Sequence, residues 1–491
     1  MFSKNKKFYI TTSIPYTNAP PHIGFALEAI QADVLARYYR GLGKDTFFLT
    51  GTDEHGIKTL KAARDAGKDP KDFADDVSAK FKALTKVLNI SNSDFIRTTD
   101  EVRHKPAAEK LWKKLVESGD IYKKKYKGFY CSGCEAFKTE KEIIDGKCII
   151  HLKELELVEE ENYFFRLSKY TKEVEKVIKS DKLKIIPESK KNETLGMLKQ
   201  GMEDVSFSRT KDKYWGLEVP GDPSQVMYVW CDALSNCISA IGYLKEGKNF
   251  KKYWPADVHC LGKDIMKFHT IFWPAMLLSA GLELPKSIFV HGFINVGGQK
   301  MSKSLGNVVD PFELVEKYGT DAVRYFLLRE FISTEDGDFT YQKFEQRYGS
   351  DLAGGIGNLV ARVLGIAPKS EIKAANPTKK ITEIIEKTKK DCQSLIEKFK
   401  FNEALSSIWN LMGFCDKYIN EEKLWETKKS EAINDLLFAI KEIGFLLKPF
   451  LPETSNKIFE QIGVNPLDKK LSEFTIKKGD LLFKKLIEKA P

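Results

Sequence analysis

The sequence predicts an α/β fold in which a parallel sheet is interrupted by an inserted module and followed by a helical bundle. The segments FYITTSI, GFALEAIQADVLARYYRGLG and DTFFLTG give the order strand, helix, strand between Lys7 and Gly56. Apolar runs that end in polar or small residues return after residue 220. Helical periodicity with charged faces then continues from about Gln346 to the end.

The first strand-helix-strand unit predicts parallel pairing, with a ligand site at the carboxyl ends of the strands. Two amphipathic helices follow, in DFADDVSAKFKALTKVLNI and EVRHKPAAEKLWKKLVESGDI. The short apolar runs QVMYVWCDAL, DVHCLGK and SIFVHGFINV are predicted to be strands that complete the sheet. Between the two halves lie a Lys-rich strand, IYKKKYKGFY, a cysteine cluster and an acidic turn, LVEEEN, which we interpret as an inserted module.

Composition limits the classes of protein to which the chain can belong. At 491 residues and 42% hydrophobic content it can bury several cores. No apolar run reaches the roughly 18 residues of a membrane span, and the start MFSKNKKFYITTS does not look like a leader, so we expect a cytoplasmic protein without membrane contact. A net charge of +10 suits a polyanionic partner, or simply a solubilising Lys-rich surface. Eight cysteines do not make a disulfide scaffold, and we expect core positions at Cys231, Cys237, Cys392 and Cys415.

The first candidate for chemistry is His22-Ile-Gly24, at the point where the first predicted helix begins. A histidine there can lie beside the free N–H groups of the helix start, which bind phosphate oxygens. Gly24 would let a nucleotide approach the backbone closely. An isolated histidine of this kind is more often a packing residue, so the motif alone does not indicate a phosphate site.

The second candidate is the glycine-bounded loop GGQKMSKSLGN at residues 297–307. Its ammonium groups, Lys300 and Lys303, can clamp a triphosphate and neutralise charge as pyrophosphate departs. Ser302 and Ser304 lie between and after them. A Lys-rich surface loop is the alternative, but the complete string KMSKS is highly specific.

The third candidate is a metal site. Cys131-x-x-Cys134 and Cys148-x-x-His151, separated by a segment of hairpin length, have the spacing of a zinc knuckle. Four sulfur and nitrogen ligands with no open position predict one structural zinc ion that holds the insertion together. Two unconnected pairs of reduced side chains are the alternative, but this small polar module has little apolar mass with which to fold.

Together, these motifs resemble those of class I aminoacyl-tRNA synthetases. The ordered segments IPYTNAPPHIG, FFLTGTDEHG, EENYFFRLSKY, YVWCDAL, GKDIMKFHTIFWPAMLL, VHGFINVGGQKMSKSLGN, YGTDAVRYFLL and NLVAR are similar to methionyl-tRNA synthetases over essentially the whole chain. The resemblance implies a Rossmann-like catalytic domain with a parallel sheet, a zinc-knuckle insertion of the single-knuckle form, and a C-terminal α-helical bundle without an appended tRNA-binding barrel. The predicted segments are 1–121 and 221–296 for the two halves of the catalytic domain, 122–220 for the insertion, 297–345 for the KMSKS loop and stem-contact region, and 346–491 for the anticodon-binding domain.

The resemblance also implies an activity, the ligation of L-methionine to tRNA(Met), including initiator tRNA, through a methionyl-adenylate. The implied cofactors are ATP, Mg²⁺ and one structural Zn²⁺, and we expect a monomer. His22, Lys300 and Lys303 would stabilise the pentacoordinate phosphate of the first step. The implied contacts to ATP are His22, Gly24, Phe25, Gly262, Asp264, His291, Gly292, Lys300, Met301, Ser302, Lys303 and Ser304.

A methionine side chain needs an apolar, polarisable slot, because its thioether is only a weak acceptor. By resemblance, Asp53 receives the ammonium group, although an aspartate at this place could also cap the next helix. Cys237 stands where the family usually has a tyrosine, so either a neighbouring ring fills the space or the slot is looser toward larger side chains. The other implied pocket residues are Ile14, Tyr16, Trp230, Ile265, His269 and Trp273.

The tRNA readers implied by the resemblance lie on the C-terminal helices. Asn358 and Arg362 are four residues apart and share a helix face, where they can reach base edges, although ordinary surface polarity would also explain them. Trp425 matches the tryptophan on which an anticodon base stacks, and packing within the bundle is its alternative. Leu424 precedes it where the family commonly has proline.

Phe25 departs from the class pattern, which has a second histidine at this position. An apolar ring cannot donate a hydrogen bond to ATP, so a non-catalytic or altered-specificity tRNA-binding paralogue is the alternative function. Synthetases for leucine, isoleucine or valine are disfavoured, because about one hundred inserted residues are too few for an editing domain beside a zinc knuckle. A simple nucleotidyltransferase would need neither the zinc insertion nor the anticodon bundle.

Overall fold

The computed structural model describes residues 6–133, 136–138, 140–150, 152–301, 306–368, 371–467, 472–477 and 479–486. The chain forms two compact units. The first consists of Met1–Pro21, Tyr39–Lys86 and Ser91–His291, and the second of His22–Tyr38, Val87–Ile90 and Gly292–Pro491. None of the helices in the described ranges is long and apolar enough to cross a membrane.

The strand-helix-strand order predicted near the start is confirmed. The first strand is apolar and almost wholly buried, and the helix after it ends just before Gly43, whose φ of +78° suits glycine. The elements are β1 Lys7–Thr11, α1 Ile23–Gly41, β2 Asp45–Thr52, α2 Ile57–Asp65, α3 Pro70–Val87, β3 Asp94–Arg97 and α4 His104–Glu117.

The Lys-rich segment forms a long strand that pairs antiparallel with the acidic one. Lys125 lies opposite Glu161 and Lys127 opposite Glu159, so cross-strand charge pairs hold two polar segments together. The acidic turn predicted at LVEEEN is therefore wrong, because these glutamates belong to a strand. The elements are β4 Ile121–Cys131, β5 Ala136–Lys138, β6 Ile143–Ile144, β7 Lys147–Cys148, β8 Glu156–Phe165, α5 Leu167–Lys179, β9 Lys184–Ile186, α6 Glu188–Lys199, β10 Val205–Ser206, β11 Ser208–Thr210, β12 Glu218–Val219 and β13 Asp222–Met227.

The remaining elements of the first unit complete a six-stranded sheet, and all of its pairings are parallel. They are α7 Val229–Ala233, α8 Asn236–Ser239, α9 Lys248–Tyr253, β14 Val258–Gly262, α10 Trp273–Ser279 and β15 Ser287–His291. The strand order is β3-β2-β1-β14-β15-β9. Strand β9 lies within 122–220, the range predicted as an insertion, yet it pairs in this sheet.

The strand predicted at QVMYVWCDAL is wrong for most of its length. Its first residues belong to β13, which pairs antiparallel with β11 and β12, and the rest forms the short helix α7. A short, fully buried apolar run does not distinguish strand from helix, since both faces are covered in either case. The runs DVHCLGK and SIFVH do form parallel strands, as predicted.

The second unit contains the predicted helical bundle, which is confirmed. The run SIFVHGFINV breaks at Gly292, where a Cβ atom would lie 1.9 Å from the Glu335 carbonyl oxygen, and its last part joins a separate small sheet. A π-helical segment, Tyr348–Gly357, leads into the bundle. The elements are β16 Ile294–Val296, β17 Gln299–Lys300, α11 Pro311–Tyr318, α12 Thr320–Arg329, β18 Gly337–Phe339, α13 Tyr341–Arg347, α14 Asn358–Ile366, β19 Glu371–Lys373, α15 Lys379–Glu397, α16 Phe401–Glu421, α17 Leu424–Thr427, α18 Ser430–Leu447, α19 Pro452–Ile462 and β20 Glu473–Thr475.

The cysteines in the described residues are all buried and reduced. This confirms the four positions predicted to be core residues. Burial raises the pKa of Cys392 and of Cys415 to about 12 in each case, because a thiolate would be desolvated there.

Candidate functional site

Asp53 lies directly after β2, at the carboxyl edge of the parallel sheet. Its side chain is buried, and its main-chain N–H and carbonyl both form hydrogen bonds. The Asp53 N–H donates to the Pro15 carbonyl at 2.9 Å, and the Thr17 N–H donates to the Asp53 carbonyl at 3.0 Å. The loops after β1 and β2 are therefore paired beyond the ends of their strands. Helix α2 begins at Ile57 with Gly56 as its N-cap, so the alternative role of Asp53 as a helix cap is wrong.

The residue after Asp53 fixes the turn that carries it. The Glu54 carboxylate is fully buried and accepts hydrogen bonds from Arg97, Nε at 2.6 Å and Nη2 at 2.8 Å. The Thr52 hydroxyl donates to the same carboxylate at 2.8 Å, and the Glu54 N–H donates to the Thr98 hydroxyl at 2.9 Å. A charge-assisted, two-point contact of this kind holds a turn more firmly than a single hydrogen bond.

Aromatic rings form the centre of the predicted methionine slot. The Trp230 indole stacks on Phe268 with centroids 3.8 Å apart and planes 8° from parallel. Tyr16 and His269 meet the same indole edge-on, at 6.3 and 6.1 Å. The main-chain carbonyl of Ile265 lies 3.0 Å from Nδ1 of His269, which fixes that ring. The structure thus brings together four of the predicted wall residues, and Phe268 is a ring that sequence reasoning missed, although the aromatic run KFHTIFW contains it.

The other predicted wall residues lie in the same apolar core. Ile14 is partly buried, Trp273 is fully buried and Cys237 is 4% exposed. The Cys237 thiol donates to the Leu234 carbonyl at 3.4 Å, the Tyr9 hydroxyl donates to the Cys237 carbonyl, and burial raises the pKa of the thiol well above its ordinary range. Cys237 is therefore a tightly packed core group, and its effect on selectivity stays a prediction.

A buried cluster behind the slot was missed by sequence reasoning. One carboxylate oxygen of Asp232 lies 2.6 Å from His55 Nδ1, and the other lies 2.7 Å from His104 Nε2. Burial alone would raise the pKa of Asp232, but the two imidazoles lower it to about 2. The available signals were an aspartate inside the apolar segment VWCDAL and a histidine in GTDEHG. Nothing in their spacing connects positions 55, 104 and 232.

Two of the predicted nucleotide contacts are neighbours in the sheet. Gly262 ends β14 and pairs with His291, which ends β15. Both residues thus lie at the carboxyl edge, where ligands bind in parallel sheets. Asp264 follows in the helical turn Lys263–Ile265 and is exposed.

In the second unit, His22 lies just before α1 and folds back on its own turn. The Gly24 N–H donates to Nδ1 of His22 at 3.0 Å, so the imidazole proton is on Nε2. A Cβ atom on Gly24 would lie 2.7 Å from Cε1 of that ring and 3.6 Å from Cε of Met301. The Ile23 N–H donates to the Val309 carbonyl at 3.3 Å. The histidine turn therefore lies next to Met301, in the loop at residues 297–307, and next to Val309, which follows that loop within this unit.

The remaining predicted ATP contacts are only partly described. Phe25 is 8% exposed, and the main chain of Lys300 pairs with Asn295 in β16. Gly292 N–H donates to the Ser333 carbonyl at 3.1 Å. Three predicted contacts, Ser302, Lys303 and Ser304, lie outside the described residues.

Comparison with known proteins identifies the family. The model for tRNA synthetases class I (M) matches residues 8–148 and 138–364, and a model for the anticodon-binding domain of tRNA ligase matches residues 378–486. A methionine–tRNA ligase of Caldanaerobacter subterraneus subsp. tengcongensis is 44% identical over 476 residues, which cover 94% of this chain and 74% of that protein. The chain belongs to the methionyl-tRNA synthetase family.

Other members of the methionyl-tRNA synthetase family are similar over nearly the whole chain. The methionine–tRNA ligase of Thermotoga maritima is 43% identical over 507 residues, covering 98% of this chain and 80% of that protein. The methionyl-tRNA synthetase of Mycobacterium tuberculosis, solved in complex with methionyl-adenylate, is 36% identical and superposes with a TM-score of 0.91, covering 97% of this chain and 99% of that one. The fold class is therefore that of class I aminoacyl-tRNA ligases.

In this member of the methionyl-tRNA synthetase family, the predicted anticodon readers lie on the helical bundle. Asn358 begins α14 and is exposed. Arg362, one turn later, donates from Nη1 to Asp416 at 2.6 Å and from Nη2 to Asn420 at 2.9 Å. These two partners on α16 were missed by sequence reasoning, and they fix the direction of the guanidinium.

Trp425 lies in α17, the helical turn after α16. Its side chain is 50% exposed, whereas Leu424 beside it is fully buried. Lys423 and Lys428, with φ of 45° and 44°, stand at the two ends of this turn. The buried leucine anchors the turn, so the tryptophan faces outward as the sequence predicts for a residue that contacts a partner.

The predicted zinc ligands are partly described. The Cys131 and Cys148 side chains are 1% and 0% exposed. Cys134 and His151 lie outside the described residues, and in the ranges that are described no group of three or more His, Cys, Asp or Glu could hold a metal ion. Several large apolar side chains in the segments that flank the two cysteines are exposed, namely Phe129, Ile144, Ile149, Ile150, Leu152 and Leu157.

Proposed function

We propose that this protein ligates L-methionine to tRNA(Met), including initiator tRNA, at the expense of ATP. In the first step, a carboxylate oxygen of methionine attacks the α-phosphate, the bond to the β-phosphate breaks, and methionyl-adenylate and pyrophosphate form. In the second step, a terminal ribose hydroxyl of the tRNA attacks the activated carbonyl, loses its proton and displaces AMP. The observation that carries the proposal is the cluster of aromatic rings around Trp230, in which Tyr16 meets the indole edge-on and also pairs with Asp53, a buried residue at the carboxyl edge of the sheet.

The proposed roles follow from the chemistry of the side chains. Asp53 receives the ammonium group, and the stacked indole of Trp230 offers a polarisable wall to the thioether. His22 donates from Nε2 to phosphate oxygens, because its Nδ1 accepts the Gly24 N–H. Lys300 and Lys303 neutralise the departing pyrophosphate. Bound Mg²⁺ would supply further charge neutralisation on the phosphates. The other proposed contacts to ATP are Phe25, Gly262, Asp264, His291, Gly292, Met301, Ser302 and Ser304.

Pyrophosphate exchange with a panel of amino acids tests this function. We expect exchange that depends on methionine and that His22→Ala or Lys303→Ala abolishes. Exchange with leucine but not methionine would contradict the proposed slot. If no amino acid supported exchange, a non-catalytic paralogue would be the better description.

For the tRNA, we propose that Asn358, Arg362 and Trp425 bind the anticodon. Stacking of a base on an exposed aromatic is worth about 1–3 kcal/mol, so we expect Trp425→Ala to raise the KM for tRNA(Met) about tenfold or more in aminoacylation. Methionine-dependent exchange should be unchanged, because it needs no tRNA. Leu467→Ala is a suitable control, since that side chain is 82% exposed in the same unit. An equal loss in both variants would contradict the anticodon role.

For the metal, we propose that Cys131, Cys134, Cys148 and His151 bind one structural zinc ion. The two described thiols are buried in a module whose large apolar side chains are mostly exposed, so the donor set fits a metal better than an apolar core. Metal analysis of freshly purified protein should find one zinc per chain, and Cys148→Ser should lose it. Cys392→Ser, at a buried cysteine of the bundle, should keep it. Absence of zinc from the unaltered protein would exclude the site.

A further inference from the structure

Asp232 is the point at which two segments of the proposed methionine site are joined. It lies two residues after Trp230 on α7, and its partner His55 lies two residues after Asp53. The His55 Nδ1 to Asp232 Oδ2 distance is 2.6 Å, and both side chains are buried. The hydrogen bond therefore connects the turn of the ammonium ligand to the helix of the thioether wall.

The second oxygen of the carboxylate extends the connection to two further helices. It lies 2.7 Å from Nε2 of His104, the first residue of α4. Nδ1 of the same ring lies 3.0 Å from the Ser239 hydroxyl, which closes α8. Because a carboxylate can only accept, both imidazoles must donate to Asp232. Removing the carboxylate would leave two buried N–H donors without their acceptor.

Neither histidine is itself one of the proposed pocket residues. The cluster around Asp232 therefore acts on methionine binding by positioning the residues that do line the pocket. The Asp53 main chain is held by Pro15 and Thr17, but those contacts are all with the loop after β1. The bond between His55 and Asp232 joins the turn to the segment that carries Trp230. A site that binds the ammonium group of methionine at one end and its thioether at the other requires a fixed distance between Asp53 and Trp230.

We infer that Asp232, acting through His55, is a positioning residue that sets the separation between Asp53 and the Trp230 indole and thereby the affinity for methionine. This rests on the proposed function, since it assigns the two ends of the slot to the two ends of the amino acid. His104 holds the other side of the carboxylate and keeps it from rotating.

A second buried carboxylate of the same unit provides a matched control. Asp120 is fully buried and accepts from Lys169 Nζ at 2.7 Å and from the Ser279 hydroxyl at 2.7 Å. Burial alone would raise the pKa of Asp120, but these partners lower it, just as the two imidazoles lower the pKa of Asp232. Its partners are none of the proposed pocket residues. Asp120→Asn thus perturbs a comparable site without touching the slot.

The test is methionine-dependent pyrophosphate exchange with the full chain, measured as separate KM values for methionine and ATP, with thermal unfolding alongside. We expect His55→Leu to raise the methionine KM about tenfold or more, the factor for losing a hydrogen bond to a charged group. The ATP KM should stay within about twofold. His55→Asn should restore most of the methionine KM, because its side-chain NH₂ group can replace Nδ1–H. Asp232→Asn should behave like His55→Leu, and Asp120→Asn should lower the melting temperature without changing either KM.

A purely structural role would lower the active fraction, and so kcat, while leaving KM unchanged. If His55→Leu left the methionine KM unchanged, or if it raised both KM values equally, the inference would be overturned. If the unaltered protein showed no methionine-dependent exchange, the proposed function itself would fail, which is a different outcome.

Discussion

The Gly24 N–H donates a hydrogen bond to Nδ1 of His22 over 3.0 Å, and a methyl group on Gly24 would lie 2.7 Å from Cε1 of the same ring. The sequence suggested that this glycine leaves room for a nucleotide. Within the described residues, the nearest group to the missing side chain is instead the imidazole itself. Glycine is needed because the His22 ring folds over the first turn of α1, where a side chain at position 24 would meet it.

Gly24→Ala should therefore displace the His22 ring and lower methionine-dependent exchange about 100-fold, the cost of misplacing a catalytic group by roughly 1 Å. Gly41→Ala is the matched control on the same helix, because no described heavy atom lies within 4 Å of its Cβ position. The Gly41→Ala variant should keep its exchange activity, and it should be as stable as the unaltered protein or slightly more stable. An active Gly24→Ala enzyme would show that the ring orientation is not needed.

Phe25→His tests the departure from the class pattern. Phe25 is 8% exposed, so an imidazole at this position would have to be desolvated. We expect no gain in exchange and a loss of about 1–3 kcal/mol in the free energy of unfolding. A tenfold or larger gain in the exchange rate would show instead that a donor to ATP is missing from the present enzyme.

Asp33 and Arg324 form a buried ion pair in the second unit, with Oδ2 and Nη2 2.8 Å apart and both side chains fully buried. The guanidinium also donates from Nε to the Phe450 carbonyl at 2.7 Å and from Nη1 to the Leu88 carbonyl at 3.1 Å, so it ties α1 to two other parts of the unit. Asp33→Asn should cost about 3–5 kcal/mol in the free energy of unfolding, because it leaves a buried charge uncompensated.

Urea denaturation measures the cost of Asp33→Asn. Glu421→Gln is the control, because Glu421 pairs with Lys417 at 3.5 Å on the surface, where the pair contributes at most about 1 kcal/mol. Equal stabilities of the two variants would contradict the importance of the buried pair.

His259 should make stability depend on pH. Burial, helped by the nearby charge of His269, lowers the pKa of His259 to about 3, against an ordinary value of 6.5. The unfolded chain therefore takes up this proton first as the pH falls, so the stabilisation is complete above pH 6.5 and is lost toward pH 3. His259→Asn removes the titrating group. The free energy of unfolding of this variant, relative to that of the unaltered protein, should therefore rise by up to about 1.4 kcal/mol for each pH unit below pH 6. Urea titrations at pH 7.5, 6 and 5 measure this difference, and parallel stability curves would contradict the expectation.

Local pattern was enough to predict much of the fold and the exposure of Trp425. Strands β1 and β2 and helix α1 follow from hydrophobic periodicity, and the exposed Trp425 follows from the charged letters around it. The segment after β13 was predicted wrongly, because a buried apolar run has no period that separates helix from strand. The charge-paired strand β8 was taken for a turn, because its partner lies about 35 residues earlier, at a separation that local periodicity does not report.

By itself, the sequence determined the family, since ordered motifs such as HIG and KMSKS depend only on residues close in the chain. Only the tertiary structure decided which distant side chains meet. His55 and Asp232 are 177 positions apart, and His104 and Asp232 are 128 apart. The stacking of Trp230 on Phe268 and the pairing of Arg362 with Asp416 likewise arise from packing between elements. The physical reason is that periodicity reports which face of an element is buried, whereas the partner on the other side is set by how the elements pack.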